Sequence, residues 1–151
     1  MALEYTYYGA ADLGTDELRS VLAAAIGGTV TADGTVVRDG LNVAAWRETP
    51  GEEASAPRLF GFDHRITVRF RFSSLQRELE GHNTALMIGA VLALLDRTGA
   101  DSVLLFNGED AVLQTVGGEA IFDADREEWE FPEAAALMAG RHVATLSQPL
   151  L

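Results

Sequence analysis

Cysteine and lysine are both absent from this chain of 151 residues. Without cysteine, the protein has no disulfide, no thiol nucleophile and no cysteine-ligated zinc site. Its apolar runs are shorter than the roughly 18 residues that a membrane-spanning helix needs. The N-terminal sequence Met1-Ala2-Leu3-Glu4-Tyr5 has no basic segment followed by an apolar one, so we expect no signal peptide. Together these absences predict a soluble protein of the cytoplasm that does not enter a membrane.

Common catalytic motifs are also missing. The chain has no HExxH, GxSxG, GxxxxGK[ST] or GxGxxG pattern, and its histidines, His64, His82 and His142, lack the spacing of metal ligands. Asp123-Ala-Asp125-Arg-Glu127 resembles the start of a calcium loop, but Glu128 occupies the glycine position and Ala134 the position of the bidentate glutamate. We therefore expect no catalytic residue, no metal site and no cofactor, and predict that the protein is not an enzyme.

The charge balance is strongly negative. The chain has 23 acidic residues against 11 arginines, a net charge of −12. A protein that binds nucleic acid needs a positive surface to neutralise phosphates, so this balance argues against a nucleic-acid partner. A surface of this sign attracts a basic partner instead.

The hydrophobic pattern predicts a single domain, residues 1–151, with a substantial core. A chain of this length buries about 68–70% of its unfolded surface, and 48% of its residues are hydrophobic. Helical spacing of apolar residues after Thr15 predicts an amphipathic helix that ends at Gly27-Gly28. Alternation or apolar runs predict the other main elements, namely strands at 3–8, 41–48, 65–72, 102–106 and 111–116 and a buried helix at 85–95.

The order of these elements predicts the fold class. Asp33-Gly34 lies between β-branched residues and predicts a hairpin within 29–38. A short alanine-rich helix is expected at 133–139, and an edge strand at 141–148. We predict an α+β fold, a two-layer sandwich of a mainly antiparallel sheet with two helices on one face, built from two βαββ-like units.

A row of arginines marks one face of the strand at 65–72. Arg65, Arg69 and Arg71 alternate with apolar residues, so they point away from the core. We favour pairing with acids on neighbouring strands, such as Glu4 or Glu48. A face that binds a partner or an anion is the alternative.

An acidic segment, 123–133, surrounds Trp129. Aromatic residues ringed by charge are frequent at binding hot spots. A tryptophan that covers the end of the core would give the same pattern, and the sequence does not separate the two. We predict a partner-binding patch made of Asp123, Asp125, Glu127, Glu128, Trp129 and Glu130.

Several stretches resemble a known family. They are Ala2-Leu3-Glu4-Tyr5, the strand Ile66 to Phe72, VLALLDRTGAD at 91–101 and VLLFNGEDAVL at 103–113. These stretches are similar to immunity proteins of swarming-inhibition (Sit-type) polymorphic toxin systems, from residue 2 to about Trp129. The resemblance implies a cytoplasmic, non-enzymatic protein that binds a cognate protein toxin. The negative charge suits a basic toxin.

Two other functions stay open from the sequence alone. One is a small-molecule-binding or enzymatic α+β domain with a pocket between the sheet and the polar loop 49–57. The other is a structural module that self-associates through an edge strand such as 141–148. A bound ligand would favour the first, and concentration-dependent oligomerisation without another partner would favour the second.

Overall fold

Nine strands form one open sheet in the computed structural model, which describes residues 3–51, 56–73, 76–146 and 148. The strands are β1 (Leu3–Gly9), β2 (Thr29–Val30), β3 (Val36–Arg38), β4 (Leu41–Arg47), β5 (Ile66–Phe72), β6 (Ser102–Phe106), β7 (Asp110–Val116), β8 (Glu119–Asp123) and β9 (His142–Ala144). Their order in the sheet is β2-β3-β4-β5-β1-β6-β7-β8-β9. Neighbouring strands are antiparallel except for β8 and β9, which run parallel.

Three helices accompany the sheet: α1 (Thr15–Ile26), α2 (Arg77–Thr98) and α3 (Pro132–Met138). Two 3-10 turns, Ala56–Phe60 and Glu127–Glu130, complete the regular structure of the described residues. The predicted α+β class and mainly antiparallel sheet are confirmed. The short alanine-rich helix expected at 133–139 is present as α3, which packs against α2, so three helices and not two accompany the sheet.

Helix α2 begins earlier than its apolar run indicates. The apolar run predicts a buried helix at 85–95, whereas the helix starts at Arg77. Glu78 and Glu80 lie in its first turn, where acidic side chains interact favourably with the helix dipole. An apolar run therefore reports the buried part of a helix and not its polar first turns. The helix ends at Gly99, whose left-handed backbone lets its N–H donate to the carbonyl of Leu95.

The main core lies between the helices and one face of the sheet. Helix α1 contributes Leu18, Leu22 and Ile26, all fully buried. The alternation predicted for 65–72 is confirmed, because Ile66, Val68, Phe70 and Phe72 are all fully buried. Among the residues of the outer face, Arg69 and Arg71 are exposed.

The opposite face of the sheet is partly covered. Val103, Leu105, Ala111 and Leu146 form a second buried cluster there, with Phe60 and Phe62 packed against it. Because β6 is covered on both faces, its sequence is an apolar run and not an alternation.

The strand β8 was not predicted from the sequence. It follows β7 through Gly117-Gly118, and both glycines have positive φ angles. A pair of glycines between two strands is typical of a two-residue hairpin turn, so this signal was present.

Candidate functional site

A pocket of about 160 Å³ opens where four parts of the chain meet. They are the start of β1, the first turns of α2, the end of β6 and the segment 126–131. Its apolar walls include Leu3, Phe106 and Phe131. Its charged lining consists of Arg77, Glu80, Arg126, Glu127, Glu128 and Glu130. The pocket thus adjoins the acidic segment that the sequence singles out.

A buried network of three side chains forms one wall of this pocket. The Tyr5 hydroxyl donates to Oε2 of Glu128 at 2.7 Å. Arg126 donates twice to the same carboxylate, from Nε to Oε1 at 2.9 Å and from Nη2 to Oε2 at 3.1 Å. Only 5% of Glu128 is exposed. Burying a carboxylate is costly unless it is paired, and the bonds from Tyr5 and Arg126 offset that cost.

Tyr5 and Arg126 of this network both stay protonated near neutral pH. Burial, and then the negative charge of Glu128, raise the pKa of the Tyr5 phenol well above its ordinary value. Burial opposes the charge of the Arg126 guanidinium, but its bonds to Glu128 outweigh burial and raise its pKa. Tyr5 is therefore a neutral donor, and Glu128 and Arg126 form an ion pair at the pocket.

The turn after β8 turns Glu128 inward. The indole Nε1 of Trp129 donates to the carbonyl of Asp123 at 2.7 Å, and its ring lies 5.2 Å from that of Phe122. Pro132 then begins α3, a position where its missing N–H removes no helical hydrogen bond. These contacts fix both ends of the 3-10 turn 127–130.

Phe131 reaches the pocket because α2 has a glycine opposite its ring. A Cβ atom on Gly81 would lie 2.7 Å from the ring carbon Cδ1 of Phe131. The guanidinium of Arg77 stands over the same ring, with its Cζ atom 4.9 Å from the ring centroid. The small residue at 81 therefore lets the ring approach the helix and form the pocket wall.

The structure places the six residues of the predicted patch in different environments. Asp125, Glu127 and Glu130 are exposed, and Trp129 is half-buried. Asp123 is buried, and its Oδ1 accepts a 2.8 Å bond from the N–H of Leu146. Glu128 is also buried, in the network with Tyr5. The exposed acids are able to meet a partner directly, whereas Asp123 and Glu128 hold the segment in place; the patch as a binding site stays a prediction.

Several residues that line this pocket were not predicted as site residues from the sequence. They are Tyr5, Glu80, Phe106, Arg126 and Phe131. The alternation of β1 does place Tyr5 on the core side, and a buried tyrosine hydroxyl usually finds a partner. Its partner is distant in sequence, so no local pattern identifies it.

The arginine row on the outer face pairs with nearby acids. Nε of Arg69 lies 3.5 Å from Oε1 of Glu4, which confirms one predicted pairing. Nη1 of Arg65 lies 3.8 Å from Oδ2 of Asp12. Glu48, the other predicted partner, instead accepts bonds from the side chains of Trp46 and Thr67.

A buried histidine lies beside this row. His64 is 2% exposed, and its Nε2 is 3.6 Å from Oε1 of Glu48. Its ring meets that of Tyr8 edge-on at 4.8 Å. Neither ring nitrogen has a hydrogen-bond partner in the part of the chain that the structure describes. Because it is buried, His64 is not accessible to a partner protein.

Other predicted features can be placed only in part. Across the described residues, no three histidine or carboxylate side chains are grouped so as to hold a metal ion. No helix in the described ranges is both long and apolar enough to cross a bilayer. Residues 52–55 and 147 lie outside those ranges, so a pocket beside loop 49–57 stays a prediction. Strand β9 is at the sheet edge within the predicted segment 141–148.

Comparison with known proteins gives one match. Searches of curated proteins and of solved structures found none. A family model described as SitI3-like matches residues 3–133. The matched region includes β1 to β8, α1, α2 and the pocket-lining residues. It agrees with the resemblance to Sit-type immunity proteins, and because it covers most of the chain, this protein belongs to the SitI3-like family.

Proposed function

We propose that this chain is an immunity protein that binds a cognate antibacterial toxin and neutralises it by occlusion. The observation that carries the proposal is the match of the SitI3-like family model to residues 3–133. Occlusion requires a complementary surface and no catalytic group. The protein would act in the cytoplasm of the cell that makes the toxin.

We place the toxin-binding surface around the acidic segment 125–130. Asp125, Glu127 and Glu130 are exposed there, and half-buried Trp129 offers an aromatic surface beside them. An interface of this composition combines an aromatic anchor with charges that direct the approach of a basic partner. The net charge of −12 adds a long-range attraction of the whole protein for a basic partner.

The decisive experiment is co-expression with the product of the adjacent upstream gene, which we expect to be the toxin. We expect the toxin alone to arrest growth, and co-expression to restore growth and give a complex that co-purifies. An unrelated acidic protein of similar size serves as the control for non-specific charge effects. Toxicity that this chain does not relieve, with no complex, would contradict the proposal.

A further inference from the structure

The pocket beside the 3-10 turn 127–130 has the size of a site for one side chain. Its volume is about 160 Å³. Pockets for drug-sized ligands hold roughly 300–1,000 Å³. One long side chain from a partner protein is therefore a better match than a metabolite.

The charge of the pocket lining favours a positively charged group in the pocket. Four carboxylates, those of Glu80, Glu127, Glu128 and Glu130, face two guanidiniums. Glu128 is neutralised by Arg126 through two hydrogen bonds. For the side chains of Glu80, Glu127 and Glu130, the described structure shows no hydrogen bond and no ion pair. Arg77 is the remaining cation, so the lining has an excess of negative charge.

The walls of the pocket suit an arginine in particular. Phe106 and Phe131 already lie against guanidinium groups of this chain, with Arg126 at 5.5 Å and Arg77 at 4.9 Å from the ring centroids. The local geometry is therefore compatible with planar cations. An arginine can lay its aliphatic stem on the apolar wall and direct its fork at two carboxylates, whereas lysine offers a point charge.

The geometry points to this pocket as the receptor for an arginine side chain that the toxin inserts. The inference rests on the proposed function for the identity of the partner, but the preference of the pocket for a guanidinium is a property of this chain alone. In the complex, Glu80 and Glu130 would accept hydrogen bonds from the guanidinium, and Phe131 would cover its stem. The exposed acids Asp125 and Glu127 would guide the approach.

A test without the toxin uses N-acetyl-arginine amide as the probe. Its neutral isostere N-acetyl-citrulline amide is the matched control. NMR signals of the Phe106 and Phe131 rings and of the Leu3 methyls, titrated at low ionic strength, report occupancy of the pocket. We expect saturable shifts of these signals with the arginine probe, and binding at least about tenfold weaker with the citrulline probe, since loss of charge-assisted bonds has an effect of this order.

Substitutions test the two proposed acceptors. The double variant Glu80→Gln, Glu130→Gln should weaken binding of the arginine probe about tenfold or more, whereas Asp96→Asn on the exposed face of α2 should leave it unchanged. Native-like spectra of each variant show that it is folded. Equal binding of both probes, shifts confined to other surfaces, or full binding by the double variant would each overturn the inference.

Growth rescue distinguishes failure of this inference from failure of the proposed function. Rescue without binding of the arginine probe would retain the immunity function and refute this pocket. Binding of the arginine probe without rescue would retain the pocket and refute the proposed function.

Discussion

The hydroxyl of Tyr5 donates a 2.7 Å hydrogen bond to the carboxylate of Glu128, 123 residues later in the chain. Tyr5 belongs to β1, which lies between β5 and β6 inside the sheet. Glu128 belongs to the turn that also carries the exposed Glu127 and Glu130. The position of the surface acids is therefore tied to an interior strand of the sheet.

Replacing Glu128 by glutamine should destabilise the fold. The substitution keeps the shape of the side chain but removes the charge of the buried carboxylate, so Arg126 retains only Asp110, 3.7 Å away, as a counter-charge. Breaking a fully buried pair from one side costs about 3–5 kcal/mol, and because Asp110 remains we expect a loss near the lower end of that range. Urea denaturation measures the loss, and Glu127→Gln, on the exposed neighbour, should change the free energy of unfolding by less than about 0.5 kcal/mol. Equal effects of the two substitutions would contradict a structural role for the network.

Tyr5→Phe should have an effect that depends on pH. At neutral pH the variant loses one bond to a buried carboxylate, which costs about 1–3 kcal/mol. The folded protein holds the pKa of Tyr5 above the ordinary value of 10.0, so above that pH the unfolded chain binds fewer protons than the folded one. Stability of the wild type then falls with rising pH, by up to about 1.4 kcal/mol per pH unit for this group.

The difference in the free energy of unfolding between wild type and Tyr5→Phe should therefore become smaller above pH 10, because the variant lacks the ionisable group. Tyr7, whose pKa burial raises to about 12, contributes a similar loss in both proteins and cancels in the difference. Denaturant midpoints measured from pH 7 upward give the comparison. A difference that stays constant up to the alkaline limit of folding would show that Tyr5 does not have the raised pKa.

Two glycines of α2 offer a matched pair of substitutions. Gly81→Ala brings a Cβ to 2.7 Å from the Phe131 ring, whereas a Cβ on Gly89 would meet nothing within 4 Å. We expect Gly89→Ala to stabilise the protein by about 0.5–1 kcal/mol through helix propensity. Gly81→Ala should destabilise it by about 1–2 kcal/mol because overpacking outweighs the same gain. Thermal unfolding distinguishes the two, and equal stabilisation would show that Phe131 moves away at no cost.

Neutralising the exposed acids should slow association with the toxin. The variant Asp125→Asn, Glu127→Gln, Glu130→Gln removes charge from the proposed surface without touching the buried Glu128. We expect an association rate constant about tenfold lower at low salt, and a weaker dependence of that rate on ionic strength. Stopped-flow or surface-based kinetics against the cognate toxin measures both.

The control for that variant removes the same charge elsewhere. Asp16, Asp33 and Asp96 are exposed acids on α1, on the β2–β3 turn and on α2. Their replacement by asparagine should reduce the association rate by less than the substitutions at 125–130. If both triple variants associate equally slowly, only the net charge matters and the proposed surface is wrong.

Local patterns predicted those parts of the fold that depend on neighbouring residues. The alternation at 65–72 identified β5, and Asp33-Gly34 identified the β2–β3 hairpin, where Oδ1 of Asp33 accepts a 3.1 Å bond from the N–H of Thr35. The candidate site was less accessible to such reasoning. Glu128 lies within a run of acids and is nevertheless buried, because its partners Tyr5 and Arg126 are placed by the tertiary fold.

The order of strands in the sheet has a consequence for how the chain folds. Two successive units, β1-α1-β2-β3-β4 and β5-α2-β6-β7-β8, precede α3 and β9. Nevertheless, β1 pairs with β5 and β6 of the second unit. Likewise β5 pairs with β4 and β1 of the first. Each unit thus needs the other for the pairing of its first strand, so neither is a self-sufficient folding unit. During synthesis, β1 has its first strand partner only when residue 72 has left the ribosome and its second only when residue 106 has, and such long-range pairing makes folding slow compared with that of helical proteins of similar size.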